Sequence, residues 1–73
     1  MKIRDILPKT PINEITYRMR NDAGEDDLFG YCAWDGKQLI SLDGDSYFLD
    51  EEILEYKYRE DGTLIVWIYA NWS

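Results

Sequence analysis

Seven consecutive apolar residues, Leu64 to Ala70, follow the turn signal Asp61-Gly62. The run is far shorter than the roughly 20 residues of a membrane-spanning helix. It is built mainly of β-branched and aromatic side chains, which favour a pleated strand. As a strand over 63–71 it puts Leu64, Val66, Ile68 and Ala70 on one face and Ile65, Trp67 and Tyr69 on the other. A strand apolar on both faces belongs inside a sheet, flanked by other strands.

The rest of the chain supplies those neighbours. Ile15, Tyr17 and Met19 alternate with Glu14, Thr16, Arg18 and Arg20, which predicts a half-buried strand over 12–20. Residues 28–34 form a second strand, with Leu28, Gly30, Cys32 and Trp34 on one face and Phe29, Tyr31 and Ala33 on the other. Gly30 marks a bulge or a close backbone approach. Asp35-Gly36 predicts a type I′ hairpin turn into a third strand, 37–42. Leu54, Tyr56 and Tyr58 alternate with charged residues in a fourth strand, and Asp61-Gly62 turns it into the fifth. Gly36 and Gly62 are expected at positive φ. Ile3, Ile6 and Leu7 predict a helical turn over 2–7, ended by Pro8. Asp50, followed by Glu51 and Glu52, predicts a second helical turn.

The expected fold is one small domain over 1–73, mainly β or α+β. It is a twisted antiparallel sheet or partly open barrel of about five strands with short helical turns. A composition of 45% apolar and 15% aromatic residues is too hydrophobic for a disordered acidic tail.

Net charge is −7, and its placement is uneven. Residues 1–20 carry five basic and two acidic side chains, whereas 21–55 carry eleven acids against Lys37 alone. Eight Lys and Arg cannot dominate fifteen acids, so direct nucleic-acid binding is disfavoured. The N-terminal Met1-Lys2-Ile3-Arg4-Asp5 lacks a signal-peptide pattern. The expectation is a soluble, cytoplasmic protein without membrane contact.

Most chemistries fail on residue inventory. With no His, neither the serines nor Cys32 has an imidazole base. A lone Cys supports neither a disulfide framework nor a Cys/His zinc site, and Cys32 reads as a small buried hydrophobe. The five glycines form no phosphate-binding loop. Asp43-Gly44-Asp45 with Asp50-Glu51-Glu52 has the charge of a calcium loop but not its spacing. Counting from Asp43, the fifth and sixth positions are Tyr47 and Phe48. No cofactor and no enzymatic activity are expected.

The stretch Leu39-Ile40-Ser41-Leu42-Asp43-Gly44-Asp45-Ser46-Tyr47-Phe48-Leu49-Asp50, then Asp61-Gly62-Thr63-Leu64-Ile65-Val66-Trp67 with Trp72, is similar to small, acidic, uncharacterised proteins of gut Firmicutes. Those proteins are often carried on conjugative or phage-like mobile elements. The resemblance covers the C-terminal half and is a turn-and-strand pattern. It implies a bacterial cytoplasmic setting and an accessory role, and assigns no role to any residue.

Three functions remain open. The first is a binding protein that docks a basic protein surface through acids and aromatics, as a monomer or weak homo-oligomer. On a mobile element this would include mimicry of nucleic-acid charge. The first-choice docking segment is Asp43, Asp45, Tyr47, Phe48, Asp50, Glu51 and Glu52, and the acidic loop Asp22, Glu25, Asp26 and Asp27 is the next. The second is an accessory domain that self-associates through the last strand or an aromatic face. The third is a metal-dependent site in Asp43–Glu52.

Overall fold

The computed structural model describes residues 1–72. A short 3-10 turn, Ile3–Asp5, precedes five strands: β1 (Ile12–Arg20), β2 (Asp26–Trp34), β3 (Leu39–Ser41), β4 (Glu55–Tyr58) and β5 (Leu64–Tyr69). They form one sheet in the order β3-β2-β1-β5-β4. Strand makes up 46% of the chain and helix 4%, so of the two expected classes the chain falls in the mainly-β one. The sheet is open rather than closed into a barrel. β5 lies between β1 and β4, as its two apolar faces require.

Three of the four pairings are antiparallel, and that of the central strand β1 with β5 is parallel, so the sheet is mixed. The parallel pairing follows from the connection over residues 42–54. It leaves β3 at one edge, crosses one face of the sheet and enters β4 at the other edge. The β4–β5 hairpin then returns β5 alongside β1.

This crossover also supplies the core. Ile53 is buried, and Tyr47 and Leu49 pack against the cluster of Ile15, Tyr17, Cys32, Leu64, Val66 and Ile68. Ile3, Ile6 and Leu7 close the same face. The registers Tyr17↔Val66 and Met19↔Ile68 carry this covered face across the parallel pair. The opposite registers, Thr16↔Ile65, Arg18↔Trp67 and Arg20↔Tyr69, belong to a face that no segment crosses among the described residues.

Several local expectations are corrected. β2 is bulged: Tyr17 pairs with Gly30 but Arg18 pairs with Leu28, which leaves Phe29 without a partner. The bulge reverses the side-chain alternation. Leu28 joins the open face, and Phe29 turns to meet Tyr47 edge-on, 6.2 Å between ring centroids. The two hairpins differ from one another. Gly36, at φ +100°, is the residue with positive φ in its turn, and Asp35 is not, which excludes type I′. The Asp35 carboxylate instead accepts from the Lys37 and Gln38 amides, both at 2.7 Å. In the second hairpin the Gly62 amide donates to Arg59 O and the Arg59 amide to Thr63 O. That is a type I turn closed by a glycine bulge. β3 shrinks to Leu39–Ser41, and the N-terminal helical turn shrinks to Ile3–Asp5.

No helical turn forms near Asp50. Glu51 N–H donates to Phe48 O in a simple turn, and Lys2 pairs with Glu52 as an isolated antiparallel bridge. The N-terminal segment offers the backbone at 51–53 strand-like partners, which outcompete a single helical turn.

Candidate functional site

The segment 43–52 is brought together, but largely with itself. Asp43 accepts from the Tyr31 amide at 2.9 Å, the Asp45 amide at 3.0 Å, the Ser41 hydroxyl at 3.2 Å and the Tyr47 hydroxyl at 2.5 Å. The Tyr47 hydroxyl bond, followed by the two backbone amides, holds the Asp43 carboxyl at a pKa of about 2. Burial and the Asp43 charge push the Tyr47 phenol up. This lock sits over Gly30, where an added Cβ would overlap Asp43 Oδ2 and Tyr47 Oη. The close approach expected at Gly30 is made by these two side chains, and the bulge falls on the neighbouring Phe29.

The remaining acids of the segment divide. Asp50 pairs with Arg4 at 2.5 Å and with Lys2 at 3.8 Å. Glu52 meets the Met1 amine at 3.0 Å. Asp45 and Glu51 make no ion pair among the described residues, and Phe48 stands out at 65% exposure. Among the described residues no three Asp, Glu or Cys side chains converge to hold a metal ion. Cys32 is fully buried beneath the crossover, and burial pushes its thiol up to about 12.

A second surface is larger and was not assembled from the sequence. It is the open face, formed by alternate residues of all five strands. Ile65 and Trp67 from β5 are half-buried. Tyr69 from β5, Leu28 and Tyr31 from β2, and Ile40 from β3 are exposed. The signal was present: the Ile65, Trp67 and Tyr69 row of β5 had to meet something. What the sequence concealed was that the covering elements all gather on the other side.

One end of this face is organised by Arg20. Its guanidinium lies 5.6 Å from the centre of the Trp67 ring. It donates to Asp26 at 2.9 Å and to Glu55 at 3.1 Å, spanning β1 to both neighbouring regions of the sheet. These bonds hold the Asp26 carboxyl below its usual range and raise the guanidinium. The Trp67 indole N–H faces the same carboxylate but falls short of a well-formed hydrogen bond.

The acidic loop 21–25 borders this end. Asn21 is buried and fixes it. Its Oδ1 accepts from the amides of Ala23 and Glu25, and its Nδ2 donates to Glu25 and to Trp72 O. Asp22 accepts from the Tyr69 hydroxyl at 3.1 Å, which raises that phenol. Asp22, Glu25, Asp26 and Glu55 thus gather at one end of this face with Arg20 among them, whereas Asp27 pairs with Met19 and points to the covered side. The second of the two acidic segments singled out in the sequence therefore adjoins the exposed Tyr69 and the Trp67 ring, while the first carries the exposed Phe48. The last strand itself offers no free edge for self-association, because β1 and β4 occupy both of its sides.

Comparison with protein-family models, curated proteins and solved structures returned no match.

Proposed function

We propose that the chain is a non-enzymatic binding module that docks a basic protein partner on the open face of its sheet. The observation that carries this reading is the pair of uncovered apolar groups on this face, Ile65, Trp67 and Tyr69 of β5 and Leu28 and Tyr31 of β2 with Ile40 of β3, which flank Thr16, Arg18 and Arg20 of β1. Clusters of aromatic and large aliphatic side chains provide most of the affinity at protein interfaces. Carboxylates at the border steer the encounter and select a basic surface. Arg20, held by Asp26 and Glu55 over Trp67, pre-orders the polar border, so little side-chain freedom is lost on docking.

The segment 43–52 takes a different role in this reading. Its strongest acceptor, Asp43, is saturated by internal donors, and Asp50 and Glu52 are neutralised by cations of the N-terminal segment. It holds the crossover in place and so keeps the other face covered.

The test is capture from a bacterial lysate by the immobilised chain at low and high salt. Tyr31→Ala with Ile40→Asp alters the open face at positions whose side chains are exposed. Asp45→Lys with Glu51→Lys alters the crossover. Loss of one captured basic protein in the first pair alone, with capture by the native chain weakening as salt rises, is the expected result. Loss in the second pair alone would return the docking site to residues 43–52.

A further inference from the structure

We propose that β4 is a self-complementary edge, through which two copies of this chain pair antiparallel with Tyr56 on the two-fold axis. β4 is the outer strand on its side of the sheet, and all four of its residues are exposed. The Arg59 amide donates to Thr63 O at 2.9 Å, which marks a close pair at the hairpin end. An antiparallel ladder alternates, so Lys57↔Ile65 and Glu55↔Trp67 are the bonded pairs within the chain. Tyr56 and Tyr58 therefore turn their N–H and C=O groups outward. Among the described residues these groups find no other backbone partner.

Charge selects a second copy as the occupant and also selects the register. With Tyr56 opposite Tyr56 of the second copy, Glu55 faces Lys57 of that copy, and Lys57 faces its Glu55. Lys57 has no ion pair within the chain among the described residues, and Glu55 retains 53% exposure while bound to Arg20. Sliding by two residues in one direction places Lys57 against Lys57, although Glu55 then faces Arg59, and in the other places Glu55 against Glu55, so each shifted register sets like charges opposite one another on the axis. On the covered side the same register stacks Tyr56 on Tyr56 of the second copy. Leu54, Tyr56 and Tyr58 are all exposed large apolar groups in the single chain. The Tyr58 ring is already oriented, because its hydroxyl donates to Ile6 O at 2.6 Å. An unpaired edge of this kind is a ready template for another strand. The proposal is independent of the docking reading, since the open face stays uncovered when the edges join.

Sedimentation equilibrium over about a hundredfold range of concentration, at moderate salt, measures the association. The native chain is expected to show a concentration-dependent monomer–dimer equilibrium. Lys57→Glu should weaken it about tenfold by opposing like charges, and Glu55→Lys with Lys57→Glu should restore it. Tyr56→Pro removes an outward N–H without touching the bonds to β5, and should leave a folded monomer by circular dichroism. A native chain that stays monomeric throughout would overturn the proposal. So would a dimer that survives both Lys57→Glu and Tyr56→Pro, or a charge swap that folds but does not dimerise.

Discussion

Gly30 is the residue on which the covered face turns. It is a glycine because the Asp43 carboxylate and the Tyr47 hydroxyl occupy the space a Cβ would need. Gly30→Ala should cost about 1–3 kcal/mol, the range for overpacking a filled site. For a domain of this size that lowers Tm by roughly 4–8 °C per kcal/mol, which a thermal melt reads directly. An unchanged Tm would mean that the crossover does not rest on Gly30. Asp43 predicts an acid response. Its folded pKa of about 2 lies below the ordinary 3.8, so the unfolded chain takes up a proton first as pH falls. The stability it contributes is complete above pH ~4 and drains away towards pH ~2. Urea midpoints measured from pH 5 to 2 should fall less steeply in Asp43→Asn than in the native chain. Cys32 gives a third check. Buried and with its thiol at about 12, it should resist a thiol reagent in the native state and react once the chain is unfolded. Rapid native labelling would show that the crossover opens readily.

At the scale of elements, the chain was most legible where one segment carries its own signal. The alternation of Ile15, Tyr17 and Met19 located β1, and the doubly apolar run 64–70 placed β5 inside the sheet. Val66 is fully buried there, so Val66→Ala should cost about 1–3 kcal/mol in urea unfolding through lost burial and a residual cavity. A change below a few tenths would contradict the register of β5. Less legible were features fixed by contacts distant in sequence. The bulge at Phe29 lets Asp43 and Tyr47 approach Gly30, and neither is a neighbour in the chain. The parallel pairing of β1 and β5 depends on the crossover's path, which local propensity does not encode. The turn at 49–51 loses its helical form because residues 1–3 lie alongside. Asn21 reads as an ordinary loop residue until Trp72 folds back onto it.

For the molecule as a whole, the decisive asymmetry is that both the N-terminal segment and the crossover pack on one side. One sheet face becomes the core and the other is left with Trp67, Tyr31, Leu28, Ile40 and Tyr69. The surplus of aromatics and the acidic middle of the chain were evident in the sequence. Their meeting at the Arg20 end of the open face was not, because it depends on the loop Asn21 fixes and on the bulge that carries Leu28 to that side. Exposed apolar groups on this scale mark interaction surfaces in small soluble domains. The most direct test of this account is a map of backbone amide shifts in the labelled chain, recorded as its captured basic partner is added. The account predicts perturbations concentrated in residues 16–20, 28–33 and 65–69, with residues 43–52 nearly unmoved. Perturbations confined to 43–52, with β1 and β5 silent, would contradict it.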